Sequence, residues 1–198
     1  MKKTLREKLI DEMFKALYYE GYHACNLNKI LELAGTSKGG MYHHFDSKKS
    51  LALEALDVVL SEYIHSYWEK PLETSENPLQ TLFERIDHLA DARLFLAQGI
   101  DFKHGSPLNT MIQELAANDR DFAQLFQKLL KRWEAVIVLT FTKARKLMRI
   151  DINIEEAAFF IVASIEGSFG YAKVYHSKKR FVALMNQLHE YIQSLVRD

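Results

Sequence analysis

Four polar side chains that could bind a charged ligand lie within seven residues near the amino-terminal end of the chain: Lys38, Tyr42, His43 and His44. An ammonium group, a phenol and two imidazoles can all donate hydrogen bonds to phosphate oxygens and to base edges. The two glycines between Lys38 and Tyr42 remove side-chain bulk, so a ligand could approach the backbone closely. This combination predicts a nucleic-acid-binding surface, with an ordinary solvated loop and helix face as the alternative.

Two short helices are needed to position these side chains. Apolar residues recur at helical spacing over 27–34, and Gly35 follows where a left-handed residue would end that helix. A hydroxyl group from Thr36 or Ser37 can then cap a second short helix. Two helices across a tight turn predict a helix-turn-helix, whose second helix enters the major groove of DNA. The apolar face of the second helix consists of Met41 and Phe45.

Enzymatic chemistry has little support in the sequence. The chain contains no HExxH zinc motif, no glycine-rich phosphate loop after a strand and no GxSxG motif. His43 and His44 are adjacent, and adjacent helical residues point about 100° apart, so they make no obvious metal site. His88 with Asp91 could bind a metal weakly, although a solvated helix face explains them better. We therefore predict no enzyme, no metal and no cofactor.

Composition predicts a compact all-α protein. The chain has 198 residues, of which 48% are hydrophobic and 26% charged, and its three prolines and eight glycines favour helices over a turn-rich sheet protein. The charges balance overall, but residues 1–50 hold nine Lys/Arg and six Asp/Glu, a net charge of +3. This modest asymmetry favours nucleic-acid binding by the amino-terminal part.

The single cysteine, Cys25, excludes an internal disulfide and fits a reducing compartment. The charged residues near the amino terminus interrupt any apolar run there, so we expect no signal peptide. The apolar stretches 135–141 and 157–165 are too short to span a bilayer. We therefore predict a cytoplasmic protein that does not associate with a membrane.

The pattern of apolar stripes and capping residues predicts about nine helices in two domains. Residues 1–47 form a three-helix helix-turn-helix domain, and residues 48–198 form a larger helical domain that begins without a linker. A helix shared by both domains could carry a displacement from one to the other. The predicted helices cover 2–19, 27–34, a short segment after Ser37, 48–69, 78–98, 107–117, 120 to 146 or 148, 154–176 and 177–196.

The stretch from Ala34 to Leu51, AGTSKGGMYHHFDSKKSL, resembles the signature of the TetR family of bacterial transcriptional regulators, and the upstream GYHA at 21–24 and Ile30 also fit. The resemblance implies an amino-terminal DNA-binding domain and a larger helical domain that binds a small effector and dimerises. Most members are repressors that the effector releases from DNA. Two positions depart from the pattern: Cys25 stands where threonine is usual, and Thr36 where an apolar residue is usual. The first could remove a hydroxyl that meets phosphate.

These observations predict that nine residues form a surface that binds double-stranded operator DNA. Lys38, Tyr42, His43 and His44 are expected to approach base edges and phosphates, while others hold the DNA backbone. The alternative is a helical adaptor that binds another protein and no DNA. The predicted DNA-binding residues are Asn26, Thr36, Ser37, Lys38, Gly39, Tyr42, His43, His44 and Lys48.

The larger domain is predicted to pair with a second copy of itself and to bind a small apolar or aromatic effector. The two carboxyl-terminal helices would form a four-helix interface, unless they only complete a monomer core. The predicted interface residues are Phe160, Ala163, Gly167, Gly170, Phe181, Leu184 and Leu188. The predicted effector-pocket residues are Phe83, His88, Phe95, Gln98, Phe102, Met111, Phe126 and Trp133.

Overall fold

The amino-terminal part of the protein consists of three helices. The computed structural model, which describes residues 3–92 and 101–197, contains α1 (Leu5–Glu20), α2 (Leu27–Ala34) and α3 (Lys38–Tyr42). Thr4 begins α1 with a capping box, in which its hydroxyl accepts from the Glu7 N–H and the Glu7 carboxylate accepts from the Thr4 N–H. The apolar stripe of α1 is buried, as the sequence pattern predicts, and packs on α2 and on the helix that follows α3.

A continuous helical rod follows, as predicted, but it is longer than predicted and changes its winding. It comprises α4 (Lys48–Tyr63), a π-helical turn (Ile64–Glu69) and α5 (Lys70–Thr74). The N–H that follows the π turn donates to the carbonyl of His65, five residues earlier. Pro71 has no N–H and would clash with a carbonyl of the preceding turn in a regular α-helix. The wider turn accommodates this proline inside the rod.

Two further helices each begin with a capping residue that is followed by a proline. In α6 (Pro78–Asp87) the side chain of Asn77 accepts from a backbone N–H of the first turn, and in α7 (Pro107–Leu115) Ser106 does the same. These caps satisfy N–H groups that have no partner within a helix. Both helix starts therefore lie where the sequence predicts them.

The prediction of one continuous helix over 78–98 is wrong. The α-helix ends at Asp87, and Leu89–Asp91 forms a 3₁₀ turn after which Ala92 is extended. Leu89 and Ala90 are buried in that tighter turn. Their apolar character therefore reflects packing against the core and not another turn of α-helix.

The carboxyl-terminal half contains three long helices: α8 (Arg120–Lys143), α9 (Ile154–Tyr175) and α10 (Lys178–Ser194). Asp119 caps α8 and Asn153 caps α9, so both helices begin at the predicted positions. Helix α9 is central, because it packs against α7, α8 and α10.

Helix α9 is, among the described residues, the one helix whose length and composition would allow it to cross a membrane. Half of its apolar window is buried inside the protein. The prediction that no segment spans a membrane was based on short apolar stretches such as 157–165, whereas the whole of α9 is 22 residues long. Its apolar composition is that of a helix packed on several neighbours.

The all-α prediction is confirmed, since residues 3–92 and 101–197 contain helices and no strand beyond an isolated bridge between Met148 and Val196. Buried side chains from α1 to α10 form one continuous cluster. The division into domains at residue 47 stays a prediction, because this shared core crosses it.

Candidate functional site

The turn between α2 and α3 is fixed by local hydrogen bonds. Gly35 adopts the left-handed conformation (φ 74°, ψ 40°) that ends α2, and the Thr36 N–H donates to the carbonyl of Leu31 at 2.9 Å. Ser37 caps α3, because its hydroxyl accepts from the Gly40 N–H at 3.3 Å. The predicted helix-turn-helix is therefore present, and of the two candidate caps Ser37 is the one used.

The two glycines of α3 have different surroundings. A Cβ atom at position 40 would lie 2.1 Å from Oγ1 of Thr36, so the turn itself requires a glycine there. A Cβ atom at position 39 would meet only the Ser37 hydroxyl at 3.8 Å, an ordinary contact. The packing of this chain therefore does not explain Gly39, which is exposed.

Helix α3 has one buried anchor and an exposed polar face. Met41 is fully buried, and Phe45, just beyond the helix, is also buried. Tyr42 is 55% exposed, and Lys38, His43 and His44 are exposed as well. Within the described residues, no ion pair or side-chain hydrogen bond occupies these four groups. The predicted face is thus available to an external ligand.

Lys48 is held by the protein itself. Its Nζ donates to the carbonyls of Tyr22 and Cys25 at 2.7 and 2.9 Å and lies 4.8 Å from the centre of the Tyr22 ring. An ammonium group has three donors, so two of them are used in the α1–α2 loop, residues 21–26. Contact between Lys48 and DNA phosphate stays a prediction, and it would have to use the third donor.

Two other residues of this region, Asn26 and Cys25, have local roles. Asn26 is exposed and caps α2, because its side chain accepts from the Asn28 N–H at 2.9 Å. Cys25 is buried and its thiol donates to the Tyr22 carbonyl at 3.3 Å. Burial raises the pKa of Cys25, so it stays a neutral thiol near neutral pH.

The larger half of the protein contacts the α1–α2 loop through residues that the sequence did not single out. The carboxylate of Glu114 on α7 accepts from the backbone N–H groups of Tyr22 and His23 at 3.0 and 2.8 Å. Gly21 has a φ of 86°, and a Cβ atom there would lie 2.9 Å from Glu114 Oε2. The Glu114 contact therefore requires a glycine at position 21. No local sequence signal could find it, since the partners are more than ninety residues apart.

The predicted effector-pocket residues do not share one environment. His88 is exposed at the end of α6, and its role as a pocket residue stays a prediction. Phe102 is half-buried and its ring lies 5.3 Å from that of Phe181. Phe95 and Gln98 lie outside the described residues. The remaining four, Phe83, Met111, Phe126 and Trp133, are buried.

An aromatic cluster, Tyr63, Tyr67, Trp68 and Trp133, fills the region between the π turn and α8. The rings of Trp68 and Trp133 are 5.2 Å apart, and Nε1 of Trp68 donates to the Tyr63 hydroxyl at 2.8 Å. Near it, on α9, Glu166 is buried, and burial raises the pKa of its carboxyl to about 7. Glu166 was not among the predicted site residues, although an acidic residue inside an apolar helix is a visible signal.

The outer side of α9 and α10 forms an open groove of about 340 Å³, the α9–α10 groove. Phe160 lies at this groove and is 51% exposed, and Ala163 and Gly167 are exposed. Phe181, by contrast, is fully buried against Phe169, with 4.5 Å between the ring centres, so its prediction as an interface residue is wrong. The groove is lined by Phe160, Ser164, Gly167, Ser168, Tyr171, Leu184, Gln187, Leu188 and Tyr191. Gly170 is half-buried, with Asn109 Oδ1 3.6 Å from the position of an added Cβ.

Two family models match the chain. Residues 9–55 match the model described as bacterial regulatory proteins, tetR family. Residues 83–188, more than half of the chain, match the Tetracyclin repressor-like C-terminal domain. The first match includes α2, the turn and α3, and the second includes Glu114, Trp133 and Glu166.

Similar proteins are themselves regulators. A transcriptional regulator of the helix-turn-helix type from the lacX 3′ region of Lactococcus lactis subsp. lactis is 27% identical over 87% of this chain and 85% of its own length. The regulator LmrA of Bacillus subtilis is 24% identical over 82% of each chain. The crystal structure of a TetR transcriptional regulator from Chloroflexus aurantiacus superposes with a TM-score of 0.81 at 23% identity, over 98% of this chain and 96% of that one. This last likeness concerns the fold.

Proposed function

Because the chain belongs to the TetR family of bacterial transcriptional regulators, we propose that it is a homodimeric repressor that a small effector releases from operator DNA. The family is one of DNA-binding regulators and not of enzymes, and the adaptor alternative has no support among the relatives. A cytoplasmic location follows from this function, since the operator is there.

The observation that carries the proposal is the exposed polar face of α3. Lys38, Tyr42 and His43 stand in solvent on a helix whose opposite face is anchored by Met41. Such a helix can enter the major groove, where lysine, tyrosine and histidine donors meet base edges and phosphates. Gly39 leaves room for close approach. The proposed DNA surface is therefore the predicted set, with Lys48 contributing mainly by holding the α1–α2 loop.

The α9–α10 groove supports the dimer. Phe160 at this groove is 51% exposed, and two further apolar side chains of α9, Phe159 and Val174, are 50 and 75% exposed. Such apolar surface is unfavourable in water. A second copy packed on α9 and α10 would cover it in a twofold four-helix arrangement. That arrangement would present two α3 helices to successive major grooves, about 34–36 Å apart.

Helix α7 offers a route from the effector to the DNA surface. Its amino-terminal end lies beside Glu166, because the Asn109 side chain donates to the Glu166 carbonyl at 3.2 Å. Its other end carries Glu114, which binds the loop before α2. An effector that displaces α7 would pull on this loop and shift the two α3 helices away from the half-site spacing. The π turn of the α4–α5 rod is a second place where the larger half can move relative to α1.

Lys38→Ala and Tyr42→Ala test the DNA surface. Each variant removes donors that form no hydrogen bond or ion pair within the described residues, so we expect weaker DNA retardation with an unchanged melting temperature. Lys131→Ala, which removes an exposed lysine on α8, is the matched control and should bind DNA as the original chain does. Full DNA affinity in Lys38→Ala and Tyr42→Ala would refute the proposal. Lys48→Ala is unsuitable as a probe, because it also releases two loop carbonyls.

A further inference from the structure

Two polar groups inside the larger half lack the hydrogen bonds that burial demands. Both carboxylate oxygens of Glu166 and Nε1 of Trp133 are inaccessible to solvent, and no hydrogen bond of ordinary geometry reaches them among the described residues. In native proteins about nine in ten buried polar groups have a partner, so an orphaned carboxylate and an orphaned indole N–H each need an explanation. An absent ligand is one such explanation.

Tyr63 brings the two groups into one neighbourhood. Its ring lies 5.6 Å from that of Trp133, with the planes nearly perpendicular. Burial and then the nearby charge of Glu166 raise the pKa of the Tyr63 hydroxyl. Glu166 on α9 therefore lies next to the aromatic cluster, to which Trp133 on α8 belongs.

The chain itself does not neutralise Glu166. Ser106 and the backbone of Asn109 act to lower the pKa of this carboxyl, but burial outweighs them and raises it. No lysine, arginine or histidine of the described residues forms an ion pair with it. A buried carboxylate is stabilised chiefly by an opposite charge or by well-aligned donors. The described residues supply no opposite charge, and the two donors offset the effect of burial only in part.

We propose that Glu166 and Trp133 form the polar end of an effector site for an organic cation that carries N–H donors on an aromatic or apolar body. This inference rests on the proposed effector control and specifies the chemical class of the effector. The ammonium or amidinium group of the ligand would donate to the Glu166 oxygens. Trp133 would donate to an oxygen acceptor on the same molecule.

The surroundings favour this class over others. The faces of Tyr63, Trp68 and Trp133 present negative quadrupoles that attract a cation within about 6 Å. An anion would be repelled by Glu166, and a purely apolar molecule would leave both polar groups unpaired. The cluster also explains why the ligand body should be aromatic, since rings would stack on rings.

The site is separate from the α9–α10 groove. Ser164 and Ser168 line that groove, and Glu166 lies two residues from each, about 200° around the helix. Helix α9 thus presents one side to the proposed partner chain and the opposite side to the proposed ligand. Binding at Glu166 does not require the dimer surface to open.

Aryloxyalkyl amines of increasing size, from phenoxyethylamine to naphthyloxypropylamine, are suitable probes, because each carries an ammonium group and an ether oxygen. Each is compared with the alcohol of the same skeleton. Trp68 and Trp133 are the two tryptophans of the chain, so intrinsic fluorescence reports directly on the site. We expect at least one amine to bind the full-length protein about tenfold or more tightly than its alcohol. Its affinity should fall as the pH drops below about 7, because the carboxyl takes up a proton.

Glu166→Gln keeps the shape and removes the charge, so the preference for amines and its pH dependence should disappear while the alcohols bind as before. Glu155→Gln, the same change in the exposed first turn of α9, is the matched control and should leave the preference intact. The idea is overturned if no amine exceeds its alcohol, or if Glu166→Gln retains the preference. Circular dichroism establishes that the variants are folded.

This result is independent of the DNA assay. If amines bind through Glu166 and leave DNA affinity unchanged, the site stands and the proposed effector control fails. If the protein binds DNA and no amine is preferred, the site fails and the regulator function stands.

Discussion

In the α2–α3 unit, residues 26–45, polar side chains without partners stand in water, whereas around Glu166 they are enclosed by the core. Unpaired donors in solvent cost little, because water satisfies them until a ligand replaces it. Unpaired groups in the core lower the stability of the folded protein at all times. The comparison indicates that the polar face of α3 can bind a ligand without a change in the protein. The unpaired groups around Glu166 destabilise the folded state, and a matching ligand would remove that destabilisation.

The largest effect should come from removing the buried anchor of α3. Met41→Ala deletes a fully buried side chain from a helix of five residues, and such changes destabilise by about 2–5 kcal/mol. We expect the free energy of unfolding, measured by urea denaturation, to decrease by this amount. Leu33→Ala, on the neighbouring α2 and 61% exposed, should change the free energy of unfolding by no more than about 0.5 kcal/mol. Equal effects would show that α3 is not anchored by Met41.

Glu166→Gln tests whether the buried carboxylate destabilises the protein, because that effect should depend on pH. The folded pKa, about 7, lies above the unfolded one, so the carboxyl is neutral in both states at low pH and is penalised as the pH rises toward 7 and above. A shift of this size corresponds to about 3 kcal/mol at most. We expect the variant to be more stable than the original chain at pH 8 and similar at pH 4. A gain that does not depend on pH would contradict the assignment.

The two glycines of α3 should separate stability from binding. Gly40→Ala forces a contact with Thr36 and should destabilise by about 1–3 kcal/mol. Gly39→Ala meets only the Ser37 hydroxyl at an ordinary contact distance and should stabilise the helix by up to about 1 kcal/mol, while it weakens DNA binding by obstructing close approach. Thermal melting and DNA retardation measure the two effects. Unchanged DNA affinity in Gly39→Ala would remove Gly39 from the DNA surface.

The smallest effect on the fold and a specific effect on binding are expected for Lys38→Ala. Because the side chain is exposed, stability should stay within about 0.5 kcal/mol. If the ammonium group contacts a phosphate, the slope of log affinity against log salt should decrease in magnitude by about one. DNA titrations at several salt concentrations give the slope. An unchanged slope would assign Lys38 to a base edge or to no contact.

The sequence predicted the α2–α3 unit well because its determinants are local. Gly35, Ser37 and the apolar spacing act within a few residues, and the same is true of the caps Asn77, Ser106 and Asn153. What the sequence could not supply depends on long-range packing. The exposure of His88 and the burial of Phe181 are set by neighbours far along the chain.

The contact from Glu114 to the α1–α2 loop and the role of Lys48 belong to the same long-range class. Lys48 had the type and position of a phosphate ligand, but two carbonyls twenty-three and twenty-six residues earlier occupy it. The π turn could not be predicted either, because the spacing of apolar side chains does not indicate one extra residue in a helical turn. Residue type therefore indicated which groups could act, and packing determined which of them are free.

The π turn at Ile64–Glu69 makes the length of the α4–α5 rod critical. A regular α-helix turns about 100° per residue, so losing one residue there would rotate everything beyond it by that angle. Trp68 and Leu72, both buried, would swing out of the interior. Shortening this segment should therefore destabilise the protein far more than shortening a surface loop. The length of this segment is thus a simple marker for regulators with the same buried aromatic packing.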